Sequence, residues 1–95
     1  MQKISELLFN ESNFQVKLRN DNYFDSKEYE RIKNTLLENT SIWKENGTVP
    51  IDDLVALMSL VDQLAGGSRF YDENTSAKVE DASIEIQDII NSLLC

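Results

Sequence analysis

The clearest hydrophobic pattern in the chain lies between Pro50 and Ala65, where apolar residues recur at the spacing of an α-helix. One face is formed by Ile51, Leu54, Met58, Val61 and Ala65, and it is widened by Val55, Leu57, Leu60 and Leu64. The polar or small stripe is narrow and consists of Asp52, Ala56, Ser59 and Gln63. Because so little of this helix is polar, we predict a central helix that other helices surround, beginning after Pro50 and ending at Gly66-Gly67.

A second helix is predicted from Ser26 to Glu45. Asp25 or Ser26 is suited to the N-cap, and Glu28 is placed to complete a capping box on Asp25. Its apolar stripe consists of Tyr29, Ile32, Leu36 and Trp43. Residues 39–41 are Asn, Thr and Ser, whose side chains compete for backbone hydrogen bonds and favour a break. We nevertheless predict one continuous helix.

The last helix is predicted from Ser76 to Leu93, with Thr75 or Asn74 as its cap. Apolar residues gather on one side, namely Val79, Ala82, Ile86, Ile89, Ile90 and Leu93. The acids on the opposite side are Glu80, Asp81, Glu85 and Asp88. Ile84 lies among these acids, where no contact within the chain is expected for it.

The first 25 residues give a weaker pattern. Ile4, Leu7 and Leu8 indicate a short helix, whereas residues 14–18 alternate as in a strand. No other segment shows a strand pattern with which this one would pair, so residues 13–19 are interpreted as either helical or extended and packed on the core. Together these elements predict an all-α bundle of about four helices, in a single helical domain that spans residues 1–95.

Charge is distributed unevenly along the chain. Residues 51–95 carry nine acidic and two basic side chains, whereas residues 1–50 carry eight and seven. The net charge of −8 repels nucleic-acid phosphates and anionic lipid, and it steers basic partners. The N-terminal residues lack a signal-peptide pattern, and no apolar run is long enough to span a membrane. We therefore expect a basic protein partner, no nucleic-acid or membrane partner, and a cytoplasmic location.

The chain is poor in the residues on which catalytic sites depend. It contains no histidine, and its one cysteine is Cys95. Carboxylates do acid-base work where a pocket shifts their pKa values apart, and here the acids are predicted on exposed helix faces. The spacings of zinc and calcium sites do not occur, and Gly66-Gly67-Ser68 follows a helix without a P-loop lysine. We expect a non-enzymatic protein without a cofactor or a metal.

Two segments are candidates for binding the partner. The first is the predicted loop that contains Phe70, Tyr71, Asp72 and Glu73, because aromatic anchors beside acids suit a basic partner. The alternative is that its rings fold back onto the bundle. The second is the acidic side of the last helix, with Asp81, Ile84, Glu85 and Asp88. Lys78 is the only base on that helix, so the acids lack neutralisation along it, and the alternative is a merely solvated face.

In size, acidity and composition the chain resembles the small immunity proteins of bacterial toxin systems, including those of contact-dependent growth inhibition. The resemblance carries over no individual residue. It implies a protein inhibitor that covers the cationic surface of a basic toxin or nuclease. Two alternatives stay open. One is a phage or bacterial regulator that mimics nucleic acid or binds a host enzyme, and the other is a structural or adaptor protein that forms a homodimer.

Overall fold

Five α-helices make up the regular structure of the described part of the chain. The computed structural model describes residues 2–21, 23–66 and 72–93. The helices are α1 (Ile4–Glu6), α2 (Phe14–Asp21), α3 (Ser26–Asn46), α4 (Ile51–Gly66) and α5 (Glu73–Asn91), and a π-helical turn, Leu7–Glu11, continues α1. No strand occurs within the described ranges. This confirms the all-α prediction, with five helices rather than about four.

The ends of α3 follow from its capping residues. Asp25 is the N-cap, and its carboxylate accepts the backbone N–H of Glu28 at 3.2 Å. After the last turn Gly47 adopts the left-handed conformation with φ 75°, and its N–H donates to the carbonyl of Trp43. The predicted stripe is buried, namely Tyr29, Ile32, Leu36 and Trp43. The helix runs unbroken through residues 39–41, which confirms the prediction of one helix.

The short helix α1 is held by side chains from two helices that are distant in sequence. Lys3 is its N-cap and supplies no side-chain bond, so the first N–H groups of α1 need other acceptors. The buried side chain of Asn39 in α3 accepts the N–H of Ile4 at 3.2 Å. The buried carboxylate of Asp53 in α4 accepts the N–H of Ser5 at 3.0 Å. These two bonds fix α1 against both α3 and α4.

Residues 13–19, which the pattern left open, belong mainly to helix α2. Phe14 and Leu18, one turn apart, are buried, whereas Val16 is exposed, as expected for a helix with one inward side. The ring of Phe14 lies 5.2 Å from that of Phe24, which in turn lies 5.3 Å from that of Tyr29. The extended alternative for this segment is therefore wrong, and α2 contributes to the core through an aromatic cluster.

The orientation of α4 differs from the predicted one. Its buried residues are Asp53, Ala56, Leu57, Leu60 and Leu64. Ile51, Leu54 and Met58, predicted in the core, are exposed, and Ala56 from the predicted polar stripe is buried. The physical reason is that α4 packs against α1 and α5 and leaves its outer side to solvent. The prediction of a helix surrounded on most sides is therefore wrong.

Helix α5 begins at Glu73, ahead of the predicted start at Ser76. The N-cap is Asp72, whose carboxylate accepts the backbone N–H of Thr75 at 2.7 Å, so the prediction of Thr75 or Asn74 as the cap is wrong. An aspartate is among the strongest N-caps, and Glu73 complements the helix dipole in the first turn. The inward residues of α5 are those predicted, with Val79, Ala82 and Ile86 buried and Ile89 and Ile90 partly buried, and Leu93, just past the end of the helix, is also partly buried.

Candidate protein-binding surface

The outer side of α4 is an exposed apolar surface, which we call the α4 face. It consists of Ile51, Leu54, Val55 and Met58, which are 80%, 47%, 52% and 63% exposed. These residues follow one another at positions i, i+3, i+4 and i+7, so they lie on one side of the helix. Contiguous exposed apolar residues are a common feature of surfaces that bind proteins and other ligands. The α4 face is therefore the first component of the candidate surface.

A groove runs beside the α4 face, between α4 and the C-terminal part of α5. Its volume is about 780 Å³. Its apolar lining includes Val49, Leu54, Met58, Val61, Ile90 and Leu93. We call it the α4–α5 groove. Such a lining suits the apolar side chains of a partner and offers few polar groups to orient a small ligand.

Asp62 is the one charged side chain among the described residues that line the α4–α5 groove. It lies one turn after Met58 on the outer side of α4 and is exposed. Arg19 of α2 lines a second hollow, on the other side of α4, that Asp62 also borders. No ion pair joins them, and Asp62 forms no hydrogen bond with any described residue. Its carboxylate is therefore available to a cation that a partner brings.

The outer side of α5 also exposes one apolar residue, Ile84, which lies among acidic residues. Ile84 is 61% exposed. Glu80, Asp81 and Asp88 lie around it and are exposed. None of these three acids forms a salt bridge with another described residue. We call these four residues the acidic α5 face, and their part in binding a partner stays a prediction.

The two exposed surfaces meet where the C-terminal end of α4 passes α5. A shallow hollow of about 250 Å³ is lined there by Leu64 and Ala65 from α4 and by Glu80 and Ile84 from α5. Ala65 also lines the α4–α5 groove, as Met58 does. The apolar surface therefore continues from the α4 face to Ile84, and acids border it on the α5 side.

Glu85 differs from the neighbouring acids because it is bound within the chain. Its carboxylate accepts the hydroxyl of Tyr29 at 3.1 Å and the Nζ of Lys33 at 3.2 Å. Burial, and then the hydrogen bond to Glu85, raise the pKa of Tyr29. Hydrogen bonds to Glu30 and Glu85 raise the pKa of Lys33. Among the described residues, the base that pairs with Glu85 is Lys33 of α3 and not a residue of α5, so Glu85 ties α5 to α3, which the pattern along α5 did not predict.

The predicted aromatic and acidic loop is divided by the start of α5. Phe70 and Tyr71 lie outside the described residues. Asp72 is the N-cap of α5, and the backbone N–H of Thr75 is the main cause that lowers the pKa of its carboxyl. Glu73 is exposed in the first turn of the helix. Asp72 and Glu73 are therefore part of a helix start rather than of a loop, and partner contact by these four residues stays a prediction.

Sequence reasoning missed the α4 face as a surface. It assigned Leu54 and Met58 to the core, and the excess of apolar residues on this helix supported only the homodimer alternative. A chain of 95 residues has a thin core, and a helix that is apolar on most sides carries more apolar residues than a thin core can enclose. That excess favours an exposed apolar side, but it does not say which side.

The chemistry of this surface is apolar contact and ion pairing. Within the described ranges, no group of three or more Asp, Glu or Cys side chains is placed to hold a metal ion. Across those same ranges, no helix combines the length and the apolar character needed to cross a membrane. Comparison with protein-family models, curated proteins and solved structures finds no match for the chain. Its function is therefore inferred from the surface itself.

Proposed function

We propose that the protein is a non-enzymatic protein-binding inhibitor, an immunity protein that neutralises a basic toxin or nuclease domain in the cytoplasm. The observation that carries the proposal is the continuity of three features: the α4 face, the α4–α5 groove and the acidic α5 face. An apolar centre with a charged border is the anatomy of a protein-protein interface. The negative border selects a partner whose own surface is positive.

The charge of this surface supports a role as an inhibitor of a basic partner. The three acids of the acidic α5 face have no described counter-ion, so their field acts outward. Complementary charge raises the association rate of two proteins and suppresses wrong partners. Fast association is what an inhibitor of a lethal enzyme requires. Ile84, in the midst of these acids, supplies an apolar contact inside a charged border.

One observation favours a second candidate function, a structural or adaptor homo-oligomer. The α4 face is exposed and apolar, and a second copy of the chain would remove it from water. Against this, two copies would bring together chains that each carry a net charge of −8. Sedimentation over a wide range of concentration distinguishes the candidates, because a homo-oligomer gives a concentration-dependent mass.

The proposed inhibitor function is tested by reversing the charge of the acidic α5 face. The double variant Asp81→Lys/Asp88→Lys replaces two negative charges of that face by two positive ones, and the matched control Asp21→Lys/Glu38→Lys makes the same change at exposed positions of α2 and α3. Each protein is used to capture basic proteins from a lysate of the source organism. The activity of the captured enzyme is then measured with and without added inhibitor.

The expected result is that wild type and control bind and inhibit the same basic enzyme. The double variant should associate with it about tenfold more slowly at low salt, and the difference should shrink as salt screens the charges. Equal inhibition by all three proteins, or equal association rates at low and high salt, would contradict the proposal.

A further inference from the structure

We propose that the α4 face and the α4–α5 groove bind an amphipathic helix of the partner, which places a lysine or arginine against Asp62. The inference rests on the proposed function for one point only, the basic character of the partner. It adds three points: the partner inserts a helix, the α4 face and the α4–α5 groove receive that helix, and Asp62 selects a basic residue on it.

The first argument is the geometry of α4. Ile51, Leu54, Val55 and Met58 recur with the period of a helix, and the adjacent groove follows the same helix. A helix of 16 residues is about 24 Å long, which is enough to receive four turns of a second helix lying along it. A partner helix that lies along α4 would present its own apolar residues at i, i+3, i+4 and i+7.

The second argument is charge complementarity. Among the described residues that line the α4–α5 groove, Asp62 is the one charged side chain, and it forms no ion pair or hydrogen bond with any described residue. Among the described residues, no basic side chain lines the groove, and Arg69 is the only base between Lys44 and Lys78 in the sequence. A carboxylate beside apolar contacts loses water when a partner binds, and it then needs a cation nearby. A helix with a lysine or arginine at the border of its apolar stripe supplies one.

The same carboxylate disfavours a second copy of this chain as the occupant. If two α4 faces met along their apolar residues, the described lining of the α4–α5 groove would place no cation beside Asp62, because Arg19 lines the neighbouring hollow and not the groove. The net charge of −8 on each copy adds a long-range repulsion. A basic helix avoids both costs, so the occupant is a different protein.

Synthetic peptides provide the probe. The first is an amphipathic helical peptide of about 18 residues with leucines at helical spacing and lysines at the borders of the leucine stripe. The second has glutamates in place of the lysines, and the third is the lysine peptide with a central proline that breaks the helix. Binding of each labelled peptide to the full chain is measured by fluorescence anisotropy, and the contacted amides are mapped by NMR.

Two pairs of variants separate the apolar and the ionic contributions to binding of the lysine peptide. Val55→Ser/Met58→Ser removes apolar side chains from the α4 face, and its matched control Leu37→Ser/Ile42→Ser changes two other exposed apolar residues, both on α3. Asp62→Asn removes the carboxylate charge at nearly constant shape. Its control is Asp21→Asn at an exposed position of α2.

The lysine peptide should bind wild type and both controls alike, with amide shifts confined to α4 and the end of α5. Val55→Ser/Met58→Ser should weaken its binding by about tenfold, and Asp62→Asn by several-fold. The glutamate and proline peptides should bind weakly to every protein. Equal binding of the lysine and glutamate peptides, an unchanged affinity in Asp62→Asn, or a concentration-dependent dimer that Val55→Ser/Met58→Ser abolishes would overturn the inference.

Failure of this inference is distinguishable from failure of the proposed function. If the captured basic enzyme is inhibited equally by wild type and by Val55→Ser/Met58→Ser, the function stands and the docking of a helix on the α4 face is wrong. If the lysine peptide binds as described but no basic enzyme is inhibited, the docking site stands and the inhibitor function is wrong.

Discussion

The carboxylate of Asp53 accepts the backbone N–H of Ser5 at 3.0 Å, and both residues are buried. This bond directs Asp53 towards α1. Leu57 and Leu60, which follow one and two turns later, then lie on the same inward side of α4. Met58 consequently points outward. The bond between Asp53 and Ser5 thus contributes, together with the burial of Leu57 and Leu60, to fixing which side of α4 enters the core and which side is exposed.

Removing the Asp53 acceptor should destabilise the fold. In Asp53→Ala the buried N–H of Ser5 loses its partner, and an unsatisfied buried donor costs about 1 to 3 kcal/mol. Asp53→Asn retains a side-chain oxygen that can accept this N–H, so it should lower the free energy of unfolding by less than Asp53→Ala does. The free energy of unfolding in urea measures both variants, and equal losses for Ala and Asn would show that the hydrogen bond is not what matters at this position.

Neighbouring residues of α4 should respond in opposite ways to truncation. Leu57 is buried, so Leu57→Ala should lower the free energy of unfolding by about 2 to 5 kcal/mol. Met58 is exposed, and Met58→Ala should stay within about 0.5 kcal/mol of wild type. Thermal or urea unfolding of the two variants therefore reports the rotation of α4 directly, and a larger loss for Met58→Ala would mean that the helix is rotated the other way.

The contrast between α3 and α4 shows what the sequence could predict about the fold. The bounds of α3 followed from local chemistry, since Asp25 and Gly47 act on the backbone next to them. The rotation of α4 is set by its contacts with α1 and α5, among them the bond to Ser5, and periodicity could not determine it because apolar residues occupy most of the helix circumference. Long-range hydrogen bonds of this kind leave no local signal.

The sequence also predicted only part of the candidate surface. The outward position of Ile84 followed from the helical phase of α5, which a clear polar side defines. The pairing of Glu85 with Tyr29 and Lys33 was not predictable, because it depends on how α3 and α5 lie against each other. Asp62 was not singled out, because its significance depends on the exposure of the residues around it.

The hydroxyl of Tyr29 should make stability fall at high pH. Its raised pKa means that, above the ordinary value of 10.0, the unfolded chain loses a proton that the folded chain keeps. Since the folded state then binds more protons, its stability decreases as pH rises. The raised pKa of Lys33 acts in the same direction above 10.5.

Tyr29→Phe should therefore reduce the loss of stability between about pH 8 and pH 11, while costing about 1 kcal/mol at neutral pH for the lost bond to Glu85. Tyr23→Phe, at an exposed position, is the control. Urea unfolding across this range measures the slopes. The same slope in both variants would contradict the assignment of the effect to Tyr29.

At low pH the carboxylate of Asp25 should be a source of acid sensitivity. A hydrogen bond from Lys17, followed by the backbone N–H of Glu28, lowers its pKa below the ordinary value of 3.8. The stability it contributes is present above 3.8 and is lost as pH falls below that value, because the unfolded chain then takes up the proton first.

Asp25→Ser keeps an N-cap acceptor for α3 but removes this carboxylate, so its thermal midpoint should fall less steeply below about pH 4 than that of wild type. Asp21→Ser, at an exposed position of α2, is the matched control and should follow wild type. Parallel curves for wild type and Asp25→Ser would exclude Asp25 as a source of the acid sensitivity.

The central claim, that the α4 face and Ile84 form one binding surface for a basic partner, is tested most directly by methyl NMR of the chain with and without the captured basic protein. The account predicts that the methyl signals of Leu54, Val55, Met58 and Ile84 change on binding. Those of Leu37 and Ile42, exposed on α3, should stay in place. Changes confined to α3, with the α4 signals unaltered in a saturated complex, would contradict it.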